Sequence, residues 1–458
     1  MIITTFEADG FRNLADVALR PHPTLNVVLG ANGAGKSSLL EAVQCLATGV
    51  GFRSRRYRDH LAHGAEEYVL RAELAAADGG AHRCGVRRGR DGSLDARVDY
   101  EPVGTFARIA RMLPVKVLTP DSHLLVQGTP DERRRFVDWG CFHEDESFLP
   151  VWRRYRRALS QRNELLRGGA SGAEVGAWNA SLSEEGERLH ALRARYVSDL
   201  ATHVKNRTQG VDFPFHVKLD LRSGWAAGDS LECVLVRNLE MHRRMRTTTD
   251  GPHRAELVVR VDDHAARDVL SRGQQKLLVY LMHLAQLDAL GGGAFSGGSA
   301  GEGPSVASGD PPDGHPATGE PGGVGATAGG EIPAETTEGT DVGPVGVGFA
   351  VPGPDGPPAR RRSSRPPVRP VVLCDDLASE LDERAGATLL DALRRSGSQV
   401  FVSGTTLPGG LADGGTGPTE PSGGVAAPAS DTMLSGPEIP DPPRPFAVFT
   451  LDAGRLRD

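Results

Sequence analysis

Apolar residues in the first 120 positions recur in short runs and alternations that predict β-strands, with one stretch of helical spacing among them. The predicted strands cover residues 2–8, 17–20, 25–29, 68–74 and 115–118. After the third strand the apolar residues follow a helical spacing, at Leu39, Leu40, Val43 and Leu46. The N-terminal part is therefore predicted to be β-rich, with a helix directly after its third strand.

From Pro130 to about Arg207 the pattern becomes helical. One predicted helix face carries Trp152, Tyr155 and Leu159, and another carries Leu189, Leu192 and Tyr196. Short strands return at residues 215–221 and 255–261, followed by a helix. Near the C-terminus the pattern predicts a strand at 371–374, a helix, a strand at 400–403 and a hairpin that turns at 453–454.

Strands near both ends with helices between them predict one α/β domain, assembled from both chain ends and interrupted by a mainly helical lobe. The expected N-terminal and C-terminal parts of this domain are residues 1–125 and 369–458, and the helical lobe is residues 126–250. Residues 251–290 are expected to form the region of the signature helix, and Gly/Pro-rich inserts occupy residues 291–368 and 406–441.

Composition changes the apparent charge of the protein. Residues 291–360 contain 32 Gly or Pro among 70 positions, which predicts disorder, and they carry a net charge of -8. The second insert carries five acidic residues and no basic ones. The whole chain has a formal charge of -7, so the remaining 352 residues carry +6. The folded part is therefore predicted to be mildly basic and compatible with a polyanionic partner.

Cysteine usage and hydropathy indicate the compartment. The five cysteines show neither paired nor metal-binding spacing, which is typical of a reducing cytosol. The N-terminus has no signal-peptide pattern, and no apolar run approaches the ~18 residues of a membrane span. We therefore expect a soluble, cytoplasmic protein with no membrane partner.

A phosphate-binding loop follows the third predicted strand. The stretch "GANGAGKSS" fits G-x-x-x-x-G-K-[ST], with a strand before it and a helix after it, as that motif requires. In such a loop successive backbone N–H groups face a polyphosphate, the lysine adds a positive charge, and the serine hydroxyl reaches Mg²⁺. The predicted nucleotide-binding residues are Gly30, Ala31, Asn32, Gly33, Ala34, Gly35, Lys36 and Ser37.

An acidic pair ends the strand at residues 371–374, in "VVLCDDLASELD". Two solvated carboxylates at a strand end would be an ordinary structural feature. With a phosphate-binding loop upstream, the pair is instead typical of a metal-assisted phosphate site. We expect Asp375, together with Ser37, to hold the metal, and Asp376 to orient or deprotonate the attacking water. Residues 379–382 add an S-x-L-D motif.

A third motif, "LSRGQQK", starts the helix before the first insert. Ser271 and Gln274 form a capping box, so the motif could be no more than an ordinary helix start. A helix start carrying Ser, Arg and Gly is also a good anion site. Its position between the phosphate-binding loop and the acidic strand matches the ABC-type ATPases, in which this motif closes on the γ-phosphate bound by the other subunit. Ser271 and Gly273 are therefore predicted to complete the catalytic site in trans.

The sequence closely resembles the RecF family, bacterial recombination-mediator ATPases related to the SMC heads. The similar blocks are "FRNL", "GANGAGKSSLLEAV", "GFRS", "PDERRRFVDWGCFH", "QRN", "GPHRAEL", "LSRGQQK" and "DDLASELD", in RecF order and outside the inserts. Several of them, such as the DWGCFH and GPHR blocks, are not general ATPase motifs.

This resemblance implies an ABC/SMC-type ATPase fold with ATP and Mg²⁺ as cofactors. It implies an ATP-dependent homodimer that binds DNA, works with RecR and RecO, and helps to place RecA on gapped or single-stranded DNA. The sequence has no zinc-finger, helix-turn-helix or RNA-binding signature, so we expect DNA binding that is not sequence-specific. The processes implied are DNA repair, replication restart and SOS induction. The resemblance also suggests that Arg12 and Asn13 approach the nucleotide phosphates.

The sequence departs from related ATPases after the last core strand. Transporter ATPases carry a histidine there, whereas this chain has "FVSGTT". Ser403 or Thr405 is therefore expected to act in its place, which predicts slow ATP turnover used as a switch.

Two basic stretches are candidates for DNA contact. The basic segment, residues 52–58, interleaves Phe52 and Tyr57 with four arginines, and the helix at residues 151–163 carries five more. A charged helix face can equally be solvated surface.

The alternatives to a DNA-repair ATPase are the ATPase subunit of an ABC-type transporter and an SMC-like structural ATPase.

Overall fold

The computed structural model describes residues 1–211, 213–291, 369–376, 383–406 and 446–457. The two predicted inserts, apart from Gly291 and Thr406, and the S-x-L-D motif at residues 379–382 lie outside the described residues. The strands are β1 (Ile2–Asp9), β2 (Val17–Leu19), β3 (Leu25–Leu29), β4 (Glu67–Ala75), β5 (Ala81–Gly89), β6 (Leu94–Val98), β7 (Glu101–Pro102), β8 (Val115–Leu118), β9 (Val217–Arg222), β10 (Glu256–Val261), β11 (His264–Ala265), β12 (Val371–Cys374), β13 (Gln399–Gly404), β14 (Ala447–Asp452) and β15 (Arg455–Arg457).

The helices include one of 31 residues, which is ~46 Å long at 1.5 Å per residue. They are α1 (Lys36–Thr48), α2 (Ala107–Met112), α3 (Leu124–Gln127), α4 (Pro130–Glu144), α5 (Phe148–Gly168), α6 (Gly172–Gly176), α7 (Asn179–Gln209), α8 (Leu231–Arg237), α9 (Leu239–Met245), α10 (Ala266–Val269), α11 (Arg272–Gly291) and α12 (Glu383–Arg395). No helix among the described residues is long and apolar enough to cross a membrane.

Strands from both ends of the chain form one sheet, in the order β15-β14-β3-β13-β12-β8. Its neighbours are parallel except for the terminal pair β14 and β15. Every residue of β12 and β13 is buried, as expected of parallel strands covered on both faces. This arrangement confirms the predicted fold class, an α/β ATPase-type domain built from both chain ends with helices inserted between its strands.

A second, antiparallel sheet has the order β2-β1-β4-β5-β6-β7 and lies beside the parallel sheet. Gln399 of β13 joins the two sheets, because its side chain accepts the N–H of Ile3 at 2.8 Å and donates to the Ile3 carbonyl at 2.9 Å. Strands β5 to β7 and helix α2 were not predicted. The inward positions of β5 are small or isolated apolar residues between arginines, so its alternation is weak in the sequence.

The helical lobe contains helices α3 to α9, with α7 packed against α4, α5 and α11. A third, antiparallel sheet in the order β11-β10-β9 adjoins it. Lys116 of β8 joins the parallel sheet to the lobe. Its buried ammonium lies 4.0 Å from the ring centre of Trp139 and donates to the side-chain oxygen of Gln286 in α11. Burial lowers the pKa of this lysine well below its ordinary value.

Candidate functional site

The phosphate-binding loop connects β3 to α1, as the motif predicts. Gly35, the residue before the helix, has φ 107°, a backbone conformation that L side chains rarely adopt. The ammonium of Lys36 donates to the carbonyls of Gly30 and Ala31 at 2.8 and 2.9 Å. The ammonium of Lys36 therefore lies against the loop to which a polyphosphate would bind.

The acidic pair meets this loop because β13 lies between β3 and β12, which brings the carboxyl ends of the three strands to one edge of the sheet. Asp375 Oδ1 accepts the hydroxyl of Ser37 at 2.9 Å and the hydroxyl of Ser403 at 2.8 Å. The Ser403 hydroxyl in turn accepts the N–H of Asp376 at 3.0 Å. The two residues predicted to hold a metal are therefore in direct contact, and Ser403 fixes both members of the acidic pair.

Asp376 and Thr405 differ from Ser403 in their surroundings. Asp376 is exposed and has φ 49°, so its backbone lies in the left-handed region. Thr405 is exposed, whereas Ser403 is buried. Of the two residues expected to act in place of a histidine, the structure brings Ser403 into contact with the acidic pair.

Residues near both ends of the given chain hold the phosphate-binding loop. The Asn13 side-chain amide donates to the Gly33 carbonyl at 3.0 Å, and the Gly454 N–H donates to the Ala34 carbonyl at 2.9 Å. A Cβ at Gly454 would lie 1.7 Å from the Asn13 carbonyl oxygen, so this approach requires glycine. The sequence indicated the hairpin turn at residues 453–454 but not its contact with the loop.

Arg12 precedes Asn13 in the sequence, and its side chain reaches α1. Its guanidinium forms an ion pair with Glu41, a fully buried carboxylate that the sequence did not single out. Its Nη2 is buried and has no hydrogen-bond partner among the described residues. Arg12 and Asn13 therefore flank the loop, and their predicted role at the phosphates stays a prediction.

The third motif starts α11 on the protein surface. Ser271 accepts the N–H of Gln274 at 3.3 Å, and the Gln274 side chain accepts the N–H of Ser271 at 2.9 Å, which confirms the capping box. Ser271 and Gly273 are exposed, and no atom within 4 Å would obstruct a Cβ at Gly273. The hydrogen bonds of Ser271 within the described residues are made inside its own helix, so this motif does not meet the loop within one chain.

The two basic stretches have different surroundings. In the basic segment all four arginines are exposed, while Tyr57 packs beneath Arg88 with 4.2 Å between guanidinium and ring centre. In α5, Arg156 and Arg157 are exposed, but Arg162 is completely buried. The interpretation of Arg162 as part of a basic surface is therefore wrong. Its guanidinium donates to Asn179 and Thr248 at 3.0 and 2.7 Å and joins three parts of the lobe.

The blocks that distinguish the family resemblance form the interior of the lobe. Asp138 accepts two hydrogen bonds from Arg193 at 2.7 and 2.9 Å, and Arg193 also donates to the Pro252 carbonyl at 2.7 Å. His253 contacts the Tyr155 hydroxyl at 2.6 Å and the Thr248 carbonyl at 2.9 Å. Burial lowers the pKa of His253 to about 4. These blocks therefore hold the lobe together and are not part of the phosphate site.

Comparison with known proteins extends these observations. The RecF/RecN/SMC N terminal domain family matches residues 2–291. The DNA replication and repair protein RecF of Thioalkalivibrio sulfidiphilus is 40% identical over 287 residues, which cover 62% of this chain and 79% of that protein. RecF of Marinomonas sp. is 36% identical over 287 residues, covering 62% and 78% of the two chains.

Among solved structures, the recombination mediator protein RecF of the RecFOR pathway, solved with ATPrS, has the same fold. Its TM-score is 0.68 at 18% sequence identity, with 99% of this chain and 97% of that chain covered. The structure of the same mediator solved with ATP has a TM-score of 0.68, and 100% of this chain is covered.

Proposed function

Because the chain belongs to the RecF family of DNA replication and repair proteins, we propose that it is an ATP-dependent, DNA-binding recombination mediator. It dimerises on ATP, works with RecR and RecO in the cytoplasm, and helps to load RecA onto gapped or single-stranded DNA. Its processes are repair, replication restart and SOS induction. The observation that carries the proposal is the contact of Asp375 with Ser37 and Ser403 at the edge of a RecF-type sheet.

The chain's own residues fit ATP. The loop from Gly30 to Ser37 offers backbone N–H groups at the start of α1, a position that favours anions. Lys36 at present donates to loop carbonyls, and phosphate oxygens are stronger acceptors for the same ammonium. The Nη2 of Arg12, which has no hydrogen-bond partner in the residues that the structure describes, is a further donor available to an anion. ATP-bound RecF structures support nucleotide binding at this loop.

Ser37 and Asp375 also fit Mg²⁺, which would polarise the phosphate oxygens. Within the described ranges, no group of three or more His, Cys, Asp or Glu side chains could hold a metal ion. A small divalent ion held by one carboxylate and one hydroxyl takes its other oxygens from phosphates and water, as Mg²⁺ does in nucleotide sites. The ion would therefore bind with the nucleotide.

Asp376 orients the attacking water in this proposal. The Ser403 hydroxyl holds Asp376 in place by accepting its backbone N–H. A serine hydroxyl carries no charge at neutral pH, so it stabilises the transition state less than an imidazolium would. Hydrolysis is then slow and serves to end the dimeric state. Since Ser271 and Gly273 are exposed and lack contact with the loop, they act on the nucleotide of a second protomer.

Phosphate contacts dominate DNA binding in this proposal. The exposed arginines of the basic segment supply them, and the +6 charge of the 352 residues outside positions 291–360 and 406–441 supports an electrostatic attraction. Identity to RecF proteins over most of their length favours this function over a transporter subunit or an SMC-like structural ATPase.

Light scattering of the purified protein with and without ATP, and with DNA, tests the proposal. We expect ATP to produce a dimer and Lys36→Ala to abolish both ATP binding and the dimer. Asp376→Asn should keep ATP binding but block hydrolysis, and so trap the dimer. The substitution should not disturb the backbone, because asparagine also tolerates the left-handed conformation at this position. An Asp376→Asn protein that binds ATP and stays monomeric would contradict the dimer mechanism.

A further inference from the structure

Glu41 is a buried carboxylate in α1 that the ATPase chemistry described above does not use. It lies five positions after Lys36 and is fully buried. Burying a carboxylate is unfavourable unless charged or hydrogen-bonding partners compensate for the lost water. The groups that surround Glu41 therefore indicate what it does.

One oxygen of Glu41 holds the start of the basic segment. Oε1 accepts the backbone N–H groups of Arg53 and Ser54 at 2.9 and 3.3 Å. The preceding Gly51 packs directly on the carboxylate, since a Cβ at that position would lie 2.1 Å from Oε1. The backbone of the segment is thus fixed on α1, while its arginine side chains remain exposed.

The other oxygen of Glu41 pairs with Arg12, the residue before Asn13. The next residue, Asn13, donates to the Gly33 carbonyl of that loop at 3.0 Å. The Arg12 N–H donates to the His60 carbonyl at 2.7 Å, and His60 contacts the Ser54 carbonyl at 2.9 Å. Both ends of the basic segment are therefore connected to residues next to the nucleotide loop.

We propose that Glu41 is a positioning residue that links nucleotide binding at residues 30–37 to the presentation of the basic segment to DNA. The inference rests on the proposed function, since it requires ATP at the loop and DNA at the segment. A triphosphate competes with Glu41 for the guanidinium of Arg12, whose Nη2 has no hydrogen-bond partner within the described part of the chain. When Arg12 turns to the phosphates, the N–H groups of Arg53 and Ser54 become the main partners of the carboxylate and hold the segment more firmly.

The test measures how much a non-hydrolysable ATP analogue raises the affinity for a duplex oligonucleotide. The variants are Glu41→Gln, which removes the charge but keeps the size, and Gly51→Ala, which displaces the segment from the carboxylate and leaves the Arg12 ion pair. The matched control is Asp138→Asn, which removes a buried carboxylate paired with Arg193 in the lobe. Melting temperature and affinity for the analogue are measured for each protein.

We expect the analogue to raise the DNA affinity of the wild-type protein and of Asp138→Asn by ~10-fold, within the usual range of coupling between two sites. Glu41→Gln and Gly51→Ala should each reduce this ratio to about 1 while binding the analogue at least as tightly as wild type. A purely structural role would lower the melting temperature in the manner of Asp138→Asn and leave the ratio unchanged.

Retention of the wild-type ratio by either folded variant would overturn the inference and leave the proposed function intact. A wild-type protein that binds both ligands with no effect of one on the other would also overturn it. A wild-type protein that binds neither the analogue nor DNA would instead contradict the proposed function itself.

Discussion

Ser403 is the residue whose hydroxyl joins the two acidic residues of the candidate site. In Ser403→Ala, the Asp376 N–H and a carboxylate oxygen of Asp375 lose this hydrogen-bond partner, and a group left unsatisfied costs about 1–3 kcal/mol. We therefore expect the substitution to lower the ATPase rate by ~10-fold. ATP affinity should change little, since Lys36 and the loop are untouched. Steady-state ATPase assays measure this effect. The matched control is Thr405→Ala at an exposed position, and a larger loss of rate in that control would contradict the role assigned to Ser403.

Single residues differ in how far the sequence predicts them. The loop from Gly30 to Ser37 follows from a local motif, because its function depends on backbone geometry within eight positions. The contact of Ser403 with Asp375 and the burial of Glu41 depend on residues that meet only in the folded protein. Arg162 shows the limit of prediction from the sequence most clearly, because the sequence does not distinguish a buried arginine from the exposed arginines beside it.

At the scale of elements, α11 presents its N-terminus on the surface. Ser271→Arg should leave ATP binding by each monomer nearly intact and prevent ATP-driven dimerisation, because a bulky cation would occupy the position of the partner's γ-phosphate. Equimolar mixing with Lys36→Ala provides a sharper test. In a mixed dimer one composite site lacks both groups and the other lacks neither, so we expect part of the ATPase activity to return. No recovery in the mixture would argue against a shared site.

The contact between α5 and the loop at residues 248–253 depends on a neutral His253. One ring nitrogen faces the Thr248 carbonyl, which only accepts, so the other accepts from the Tyr155 hydroxyl. Burial lowers the pKa of His253 to about 4, whereas an unfolded histidine titrates near ~6.5. The unfolded state therefore binds this proton first as the pH falls. The stabilisation is complete above about pH 6.5 and is lost between about 6.5 and 4.

We expect the free energy of unfolding to fall by up to about 1.4 kcal/mol per pH unit across this window for His253 alone. Burial also lowers the pKa of His242, so this residue makes the free energy of unfolding depend on pH in the same direction. His253→Gln should therefore be less stable at neutral pH but show a flatter pH dependence, measured by urea unfolding. The control is His216→Gln on the lobe surface. An unchanged slope in His253→Gln would show that its imidazole is not the titrating group.

Elements were predicted best where their periodicity is strong. The buried strands β3, β8 and β12 and the long helices α5 and α7 have continuous or helical apolar patterns. Strands β5 to β7 escaped prediction because arginines occupy many outward positions and few large apolar residues face inward. The capping box of α11 was predictable because it is made by residues three apart.

At the scale of the whole molecule, the uneven distribution of charge leads to a prediction about residues 292–358, which lie outside the described residues. This stretch contains nine acidic and no basic residues, against +6 on the 352 residues outside positions 291–360 and 406–441. Its deletion should leave ATPase activity largely unchanged and strengthen DNA binding at low salt, because tethered anions compete with DNA phosphates. Since screening shortens to ~8 Å at 0.15 M ionic strength, the gain should shrink as salt rises.

A DNA-binding salt titration of both proteins in the presence of ATP measures this effect. Equal affinities at low salt would place the stretch away from the DNA path. Weaker binding after the deletion would indicate that the stretch itself contacts DNA or a partner.

The order of strands in the parallel sheet also bears on how the protein is made. Strand β3 is central, yet its neighbours β13 and β14 lie about 370 and 420 residues further along the chain. At the usual ribosomal rate of roughly 5–20 residues per second, the apolar stretch "LNVVL" emerges ~20–80 seconds before its first hydrogen-bonding neighbour. An unpaired apolar strand of this kind is prone to aggregation. We therefore expect the nascent chain to depend on chaperones until β13 and β14 are synthesised, and to bind ATP only after these strands have joined the sheet.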